Sequence, residues 1–245
     1  MNVRALVGLA VLTAALTATA TAGAIVGGGF DNGGHPAAGA LLVPGANGLE
    51  PECSGVLVAP RIFLTAAHCT DFAASAGGAY VVFGDAPDPA HWQPIHGRPV
   101  SDPGYGHDSA DLQALGVVVL DRPASVAPAS LPAAGAANAL NGSDIVAVGY
   151  GYSQRNGNKS FVSDGARHAA PIEVASETAT TLRLSSHGGV ALCFGDSGGP
   201  QYLPGSTTVV SVTSGGNSVC TGNATATRLD STSARAFLAQ YVRLP

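Results

Sequence analysis

Short apolar runs closed by turns recur along this chain, and that spacing limits its fold more than any other feature. Runs at 39–43, 79–83, 115–120, 144–152, 168–174, 180–184, 207–213 and 224–229 are rich in Val, Leu, Ala and Thr. Strands of about five to eight residues fit such runs, whereas a helix needs apolar positions three and four apart over a longer stretch. The 33 glycines and 16 prolines, one residue in five, are spread along the chain and supply turns. They stay below the ~25–30% that marks low-complexity chains. The segment 123–141, rich in Ala, Pro and Ser, cannot support a strand ladder because each proline removes a donor, so it reads as a linker. Only 230–244 reads as an amphipathic helix. Phe237, Leu238, Tyr241 and Val242 recur at helical spacing, and Asp230 or Ser231 can cap it.

Charge narrows the function classes. Charged residues make up 11% of the 245, Lys159 is the only lysine, and the net charge of −5 comes without a basic run, which argues against nucleic acid. Arg4, the apolar run 5–18 and Ala22-Gly23-Ala24 form a signal peptide over 1–24 with its cleavage site. The apolar run is too short for a span of ~20 residues, so the mature chain is expected to be secreted, with no membrane segment. In that compartment Cys53, Cys69, Cys193 and Cys220, two local pairs with no Cys-x-x-Cys, favour disulfides over zinc. His91 with His96, and Asp85 with Asp88, lack ligand spacing with confirming partners and read as loop residues. No metal or cofactor is expected.

The chemistry is concentrated in Cys193-Phe194-Gly195-Asp196-Ser197-Gly198-Gly199-Pro200. Glycines around a serine allow a sharp backbone turn that holds Ser197 Oγ clear of the chain. The N–H groups of Gly195 and Ser197 can then converge on a developing oxyanion. This hexapeptide core resembles the nucleophile motif of the chymotrypsin/trypsin-like serine proteases. Leu64-Thr65-Ala66-Ala67-His68-Cys69 resembles the catalytic-histidine motif of that family, and Ile25-Val26-Gly27-Gly28 resembles its mature N-terminus.

The resemblance implies an all-β fold of two packed antiparallel six-stranded β-barrels with a C-terminal α-helix. Barrel one would span about 25–125, barrel two about 140–230, and the helix about 231–244. It also implies His68 as base, Ser197 as nucleophile, and an activation ion pair between the Ile25 ammonium and Asp196. Disulfides Cys53–Cys69 and Cys193–Cys220 follow, with a substrate pocket floored by Ala191 and walled by Ser214, Gly216 and Ala224. Tryptic members place an aspartate at that floor; an alanine predicts apolar rather than basic preference.

One position departs from the family. Counted without a gap from 115–120, the third catalytic position falls on Ala114, where an aspartate is expected. Asp111, Asp108 or no carboxylate at all could follow from that. The expected function is a secreted, monomeric serine endopeptidase acting on polypeptides and open to protein inhibitors. The alternative is a protease-fold binding or regulatory protein. The serine also satisfies G-x-S-x-G, but all seven histidines precede Ser197, and the α/β-hydrolase order requires one after it.

Overall fold

The computed structural model describes residues 24–85, 92–106, 114–152, 154–155, 160–186 and 188–245. After a short strand β1 (Gly29–Phe30) come β2 (Ala38–Gly45), β3 (Gly48–Ala59) and β4 (Ile62–Ala66), then helix α1 (Ala67–Ser75). Strands β5 (Ala79–Phe83), β6 (Ile95–Ser101) and β7 (Leu115–Leu120) complete the first half. Six of these strands close in the order β2–β3–β4–β7–β6–β5. The β3–β4 hairpin turns at Pro60-Arg61, and Arg61 Nε donates to Leu120 O at 2.7 Å, tying the turn to the end of β7. Leu41, Leu57, Phe63, Leu64, Val117 and Val118 fill the interior with no exposure.

The second half contains β8 (Asp144–Gly149), a ribbon of β9 (Gln154–Arg155) and β10 (Phe161–Val162), then β11 (His168–Glu177) and β12 (Thr181–Ser185). Strands β13 (Pro200–Tyr202), β14 (Val209–Gly215) and β15 (Ala224–Arg228) follow, and helix α2 (Thr232–Leu238) ends the chain. The hydrogen-bonded order β11–β12–β15–β14–β13–β8 closes through a β11–β8 pairing, with β1 added beside β11. Ile145, Val174, Leu182, Leu184 and Val210 form its core. The architecture is therefore two six-stranded antiparallel barrels and a C-terminal helix, as the resemblance implies.

Three expectations need correction. The C-terminal helix covers Thr232–Leu238, not 230–244. Ser231 is the cap, accepting from Ala234 N–H, because the Asp230 carboxylate is held by Arg228 and by the Ala137 N–H. Past Leu238 the bonds tighten to Gln240 N–H on Phe237 O, and Arg235 donates to Pro132 O and Pro245 O, folding the tail back. Second, α2 is not the only helix: α1 carries His68, and its weak apolar periodicity hid it. Third, β6 lies inside the stretch that reads as a Pro-rich loop. Its Pro99 is tolerated because β5 pairs only as far as Gly97, so beyond it a missing N–H costs no bond on that side. Asn156-Gly157-Asn158, a turn signal in the sequence, lies outside the described residues.

A buried cation fastens the two barrels. Arg167, 2% exposed, donates from Nε to Asp31 at 2.8 Å and from Nη2 to Asp85 at 2.5 Å. Its Nη1 reaches Ala38 O of barrel one and Tyr150 Oη of barrel two. Burial works against the charge on Asp31, but bonds from His35 and the Arg167 guanidinium outweigh it and draw the carboxyl down to about 2. Removing one member leaves an uncompensated buried charge. Arg167→Leu is therefore expected to lose about 3–5 kcal/mol of stability in urea unfolding at neutral pH. Adding Asp31→Asn should recover part of that loss; equal losses in the single and double variants would count against the pairing.

Candidate active site

The loop before β13 bends at two glycines whose conformations L side chains resist. Gly195 has φ 86° and Gly198 φ 78°. A methyl on Gly198 would lie 2.0 Å from Thr65 Oγ1 and 2.4 Å from Ser54 O, so the loop is pressed against barrel one. Ser54 makes three bonds there and is fully buried. Its N–H donates to Ser197 O at 2.9 Å, its Oγ donates to Gly195 O at 2.8 Å, and its Oγ accepts from Tyr150 N–H at 2.9 Å. Gly198 N–H donates to Thr213 O at 2.7 Å, which secures the loop to barrel two. The N–H groups of Gly195 and Ser197 donate to no other described residue.

Asp196 is buried behind this loop. Its carboxylate accepts from Cys193 N–H at 2.9 Å and Gly151 N–H at 3.0 Å, and the backbone N–H of Ile25 lies near enough to favour its charged form. Burial outweighs these donors and pushes the carboxyl up to about 7. Ala24 and Ile25 have no exposure, and Ile25 has φ 61°, which β-branched residues avoid. The structure thus brings Ile25 and Asp196 together while Ile25 is still joined to Ala24.

His68 lies in the first turn of α1, and the Cys53–Cys69 disulfide joins that turn to β3. A ring nitrogen of His68 and both sulfurs lie within 4.8 Å of one another; the sulfurs are bonded to each other, so the group is a brace rather than a metal site. His68, Gly195 and Ser197 line one cleft of about 860 Å³, with Pro51, Glu52, Tyr152, Phe161 and Phe194 on its other walls. Ala114 contributes a buried methyl, and its carbonyl accepts from Ala67 N–H at 2.9 Å, one residue from His68. Asp111 and Asp108 lie outside the described residues. The Asp102 carboxylate closes its own turn on Gly104 N–H.

The four expected pocket residues are not among those that line this cleft. Ala191 is buried and bridges to Val26. Ser214 Oγ donates to Thr225 O, Gly216 is exposed at the end of β14, and Ala224 is packed with the core of barrel two. Cys193–Cys220 ties the nucleophile loop to the turn after Gly216. Of the other histidines, His35 meets Asp31, His96 meets Asp121 and His168 meets Asp164, all consistent with structural roles. His91, His107 and His187 lie outside the described residues. Ser54 escaped sequence reasoning because a lone buried serine carries no motif. The neighbouring Cys53 was the only signal at that place.

A double barrel with a histidine and a glycine-flanked serine on one cleft defines the class of chymotrypsin-like serine peptidases. A family model described as Trypsin matches residues 25–235, and the chain belongs to that family. Among solved structures the fold is similar to neuropsin, a serine protease expressed in the limbic system of mouse brain. The TM-score is 0.64 at 22% identity, over 80% of this chain and 90% of that one. It is also similar to HL collagenase, with TM-score 0.71 at 18% identity over 90% of this chain and 100% of that one. A sequence search of curated proteins finds no match.

Two measurements probe the loop. Ser54→Ala leaves the Tyr150 N–H and Gly195 O without their partner, and is expected to cost about 1–3 kcal/mol in urea unfolding. No change would remove Ser54 from the seam. The second concerns pH. A carboxyl raised from 3.8 to about 7 on folding supports a stability that is full below 3.8 and lost as pH rises through about 7. A chain still carrying Ala24 should lose on the order of 4 kcal/mol across that window. A chain beginning at Ile25 has no φ at that residue and brings an ammonium to Asp196, so its pH dependence should be flatter or reversed. Identical profiles for the two forms would exclude the pairing.

Proposed function

We propose that the protein is a secreted serine endopeptidase whose nucleophile is Ser197 and whose base is His68. The observation that carries this reading is that both residues line one cleft, Ser197 on a loop held by Gly195 and Gly198 in conformations few other residues accept. His68 removes the Ser197 proton as Oγ attacks a peptide carbonyl. The N–H groups of Gly195 and Ser197 stabilise the oxyanion, and the imidazolium returns the proton to the leaving amine. Water then releases the acyl group.

Asp111 is the proposed orienting carboxylate. The chain that carries it enters β7 through Ala114, whose carbonyl already bonds the residue before His68. The neutral, buried Ala191 supports cleavage after apolar side chains. The residues 1–24 are proposed as a signal peptide whose removal exposes the Ile25 ammonium. A second reading, a protease fold retained for binding or regulation, draws support from the methyl at Ala114 alone.

Labelling with a serine-reactive phosphonate separates the two. Reaction at Ser197 is expected in the chain beginning at Ile25, with loss in Ser197→Ala and His68→Ala, and peptide hydrolysis falling about 10⁶-fold in Ser197→Ala. Asp111→Asn is expected to lower kcat about 10⁴-fold. Peptides with Phe or Leu before the cut should exceed Arg peptides in kcat/KM. Absence of labelling supports the binding reading, and preference for Arg refutes the apolar pocket.

A further inference from the structure

The cleft that holds His68 and Ser197 has a composition the proposed reaction does not explain. Ala191, Ser214, Gly216 and Ala224 do not line it; its walls are Pro51 and Glu52 of β3 together with Tyr152, Phe161 and Phe194. If the Ser214–Gly216 edge takes the acyl side of a substrate, the chain beyond the scissile bond runs over this other side of Ser197. The three aromatic rings form a continuous platform. Phe161 meets Phe194 at 5.7 Å between centroids and Tyr152 at 6.2 Å. Phe194 is 50% exposed and Tyr152 39%, an unusual surface for large apolar rings. The platform is fixed to the nucleophile loop, since Tyr152 N–H donates to Phe194 O at 2.8 Å.

Among the described residues Glu52 is the one charged side chain on these walls, and it is exposed. No described side chain forms an ion pair with it. A cluster of aromatic rings in one cleft with a carboxylate that has no described ion partner is chemistry suited to a cation. The ring faces attract a guanidinium or ammonium, and the carboxylate pairs with it.

We propose that this cleft is a leaving-group-side subsite selecting Arg or Lys just after the scissile bond, with Glu52 as its charge partner and Phe161 and Phe194 as its platform. The proposal rests on the endopeptidase reading and adds to it a specificity opposite in charge to that of the neutral acyl side. An Arg residue lays its planar guanidinium on the rings and its fork on Glu52, so it should exceed Lys.

Acyl transfer tests this apart from the acyl-side pocket. The enzyme beginning at Ile25 is acylated with a Phe or Leu ester, and amino-acid amides compete with water for the acyl group. The new peptide bond forms between the acyl carbon and the amide's α-nitrogen, with release of Ser197 Oγ. Argininamide is expected to capture the acyl group about fivefold better than norleucinamide, and glutamamide worse than either. Glu52→Gln should remove most of that preference, so that argininamide and norleucinamide capture the acyl group about equally. Glu52→Lys should reverse the order of argininamide and glutamamide. Phe161→Ala should weaken capture of argininamide without reversing it. Ready acylation with no preference among the amides, or a preference that survives Glu52→Gln, overturns the subsite alone. Failure of any ester to acylate Ser197 overturns the endopeptidase reading and the subsite with it.

Discussion

The buried hydroxyl of Ser54 is the interaction on which the site depends. It belongs to β3 of barrel one, yet it holds Gly195 of the nucleophile loop and Tyr150 of barrel two. In a dry seam a polar group left without a partner costs about 1–3 kcal/mol, so each of these bonds fixes its two ends together. Gly198 adds a steric limit, because Thr65 and Ser54 occupy the space a side chain would need. The loop conformation and the docking of the barrels are thus one arrangement. Neither can be altered without disturbing the other, and a reactive serine between two barrels needs that rigidity.

Electrostatics repeats the design on two sides of the same seam, with different outcomes. Arg167 and Asp31 are paired in charge, so burial there leaves a depressed carboxyl and a fixed joint between the barrels. Asp196 is buried with neutral N–H donors, and its carboxyl is raised. The one site is complete in the chain as it stands; the proposed cleavage before Ile25 would bring the other a counter-charge. The positive φ of Ile25, worth roughly 1–3 kcal/mol of strain, points the same way. Under the proposed maturation, one carboxylate would couple cleavage to loop order.

Much of this was legible in the residues, for identifiable reasons. Strands such as Ala79–Phe83 and Leu115–Leu120 match their apolar runs residue for residue, because each is bounded by turn signals and buried on nearly every side. The nucleophile and histidine segments were readable because glycine geometry and a neighbouring cysteine constrain sequence locally. What depends on contacts far apart in the chain left no such trace. Ser54 meets Gly195 across 141 positions, and Arg167 meets Asp31 across 136. Helix α1 was hidden because its buried side is mostly small residues, Ala67, Cys69, Thr70 and Ala73, whose pattern is faint. The proline in β6 masked a strand whose second neighbour stops at Gly97.

The departure at Ala114 is narrowed by register. Ala66 pairs with Leu115 and Ser101 with Gly116, while the Ala114 carbonyl accepts from Ala67 N–H. A slip of one residue would put a side chain in the place of Gly116, where a Cβ would lie 2.3 Å from Thr70 Oγ1, so Ala114 cannot exchange places with a neighbour. Any carboxylate that orients His68 from this part of the chain must therefore come from before residue 114. Three residues of extended chain reach about 10 Å, and Asp111 is three residues away from a carbonyl already bonded beside His68. Distance along the chain thus permits Asp111 to serve. In the proposed reading the acid comes from the chain before β7, while β7 itself keeps its register and its burial.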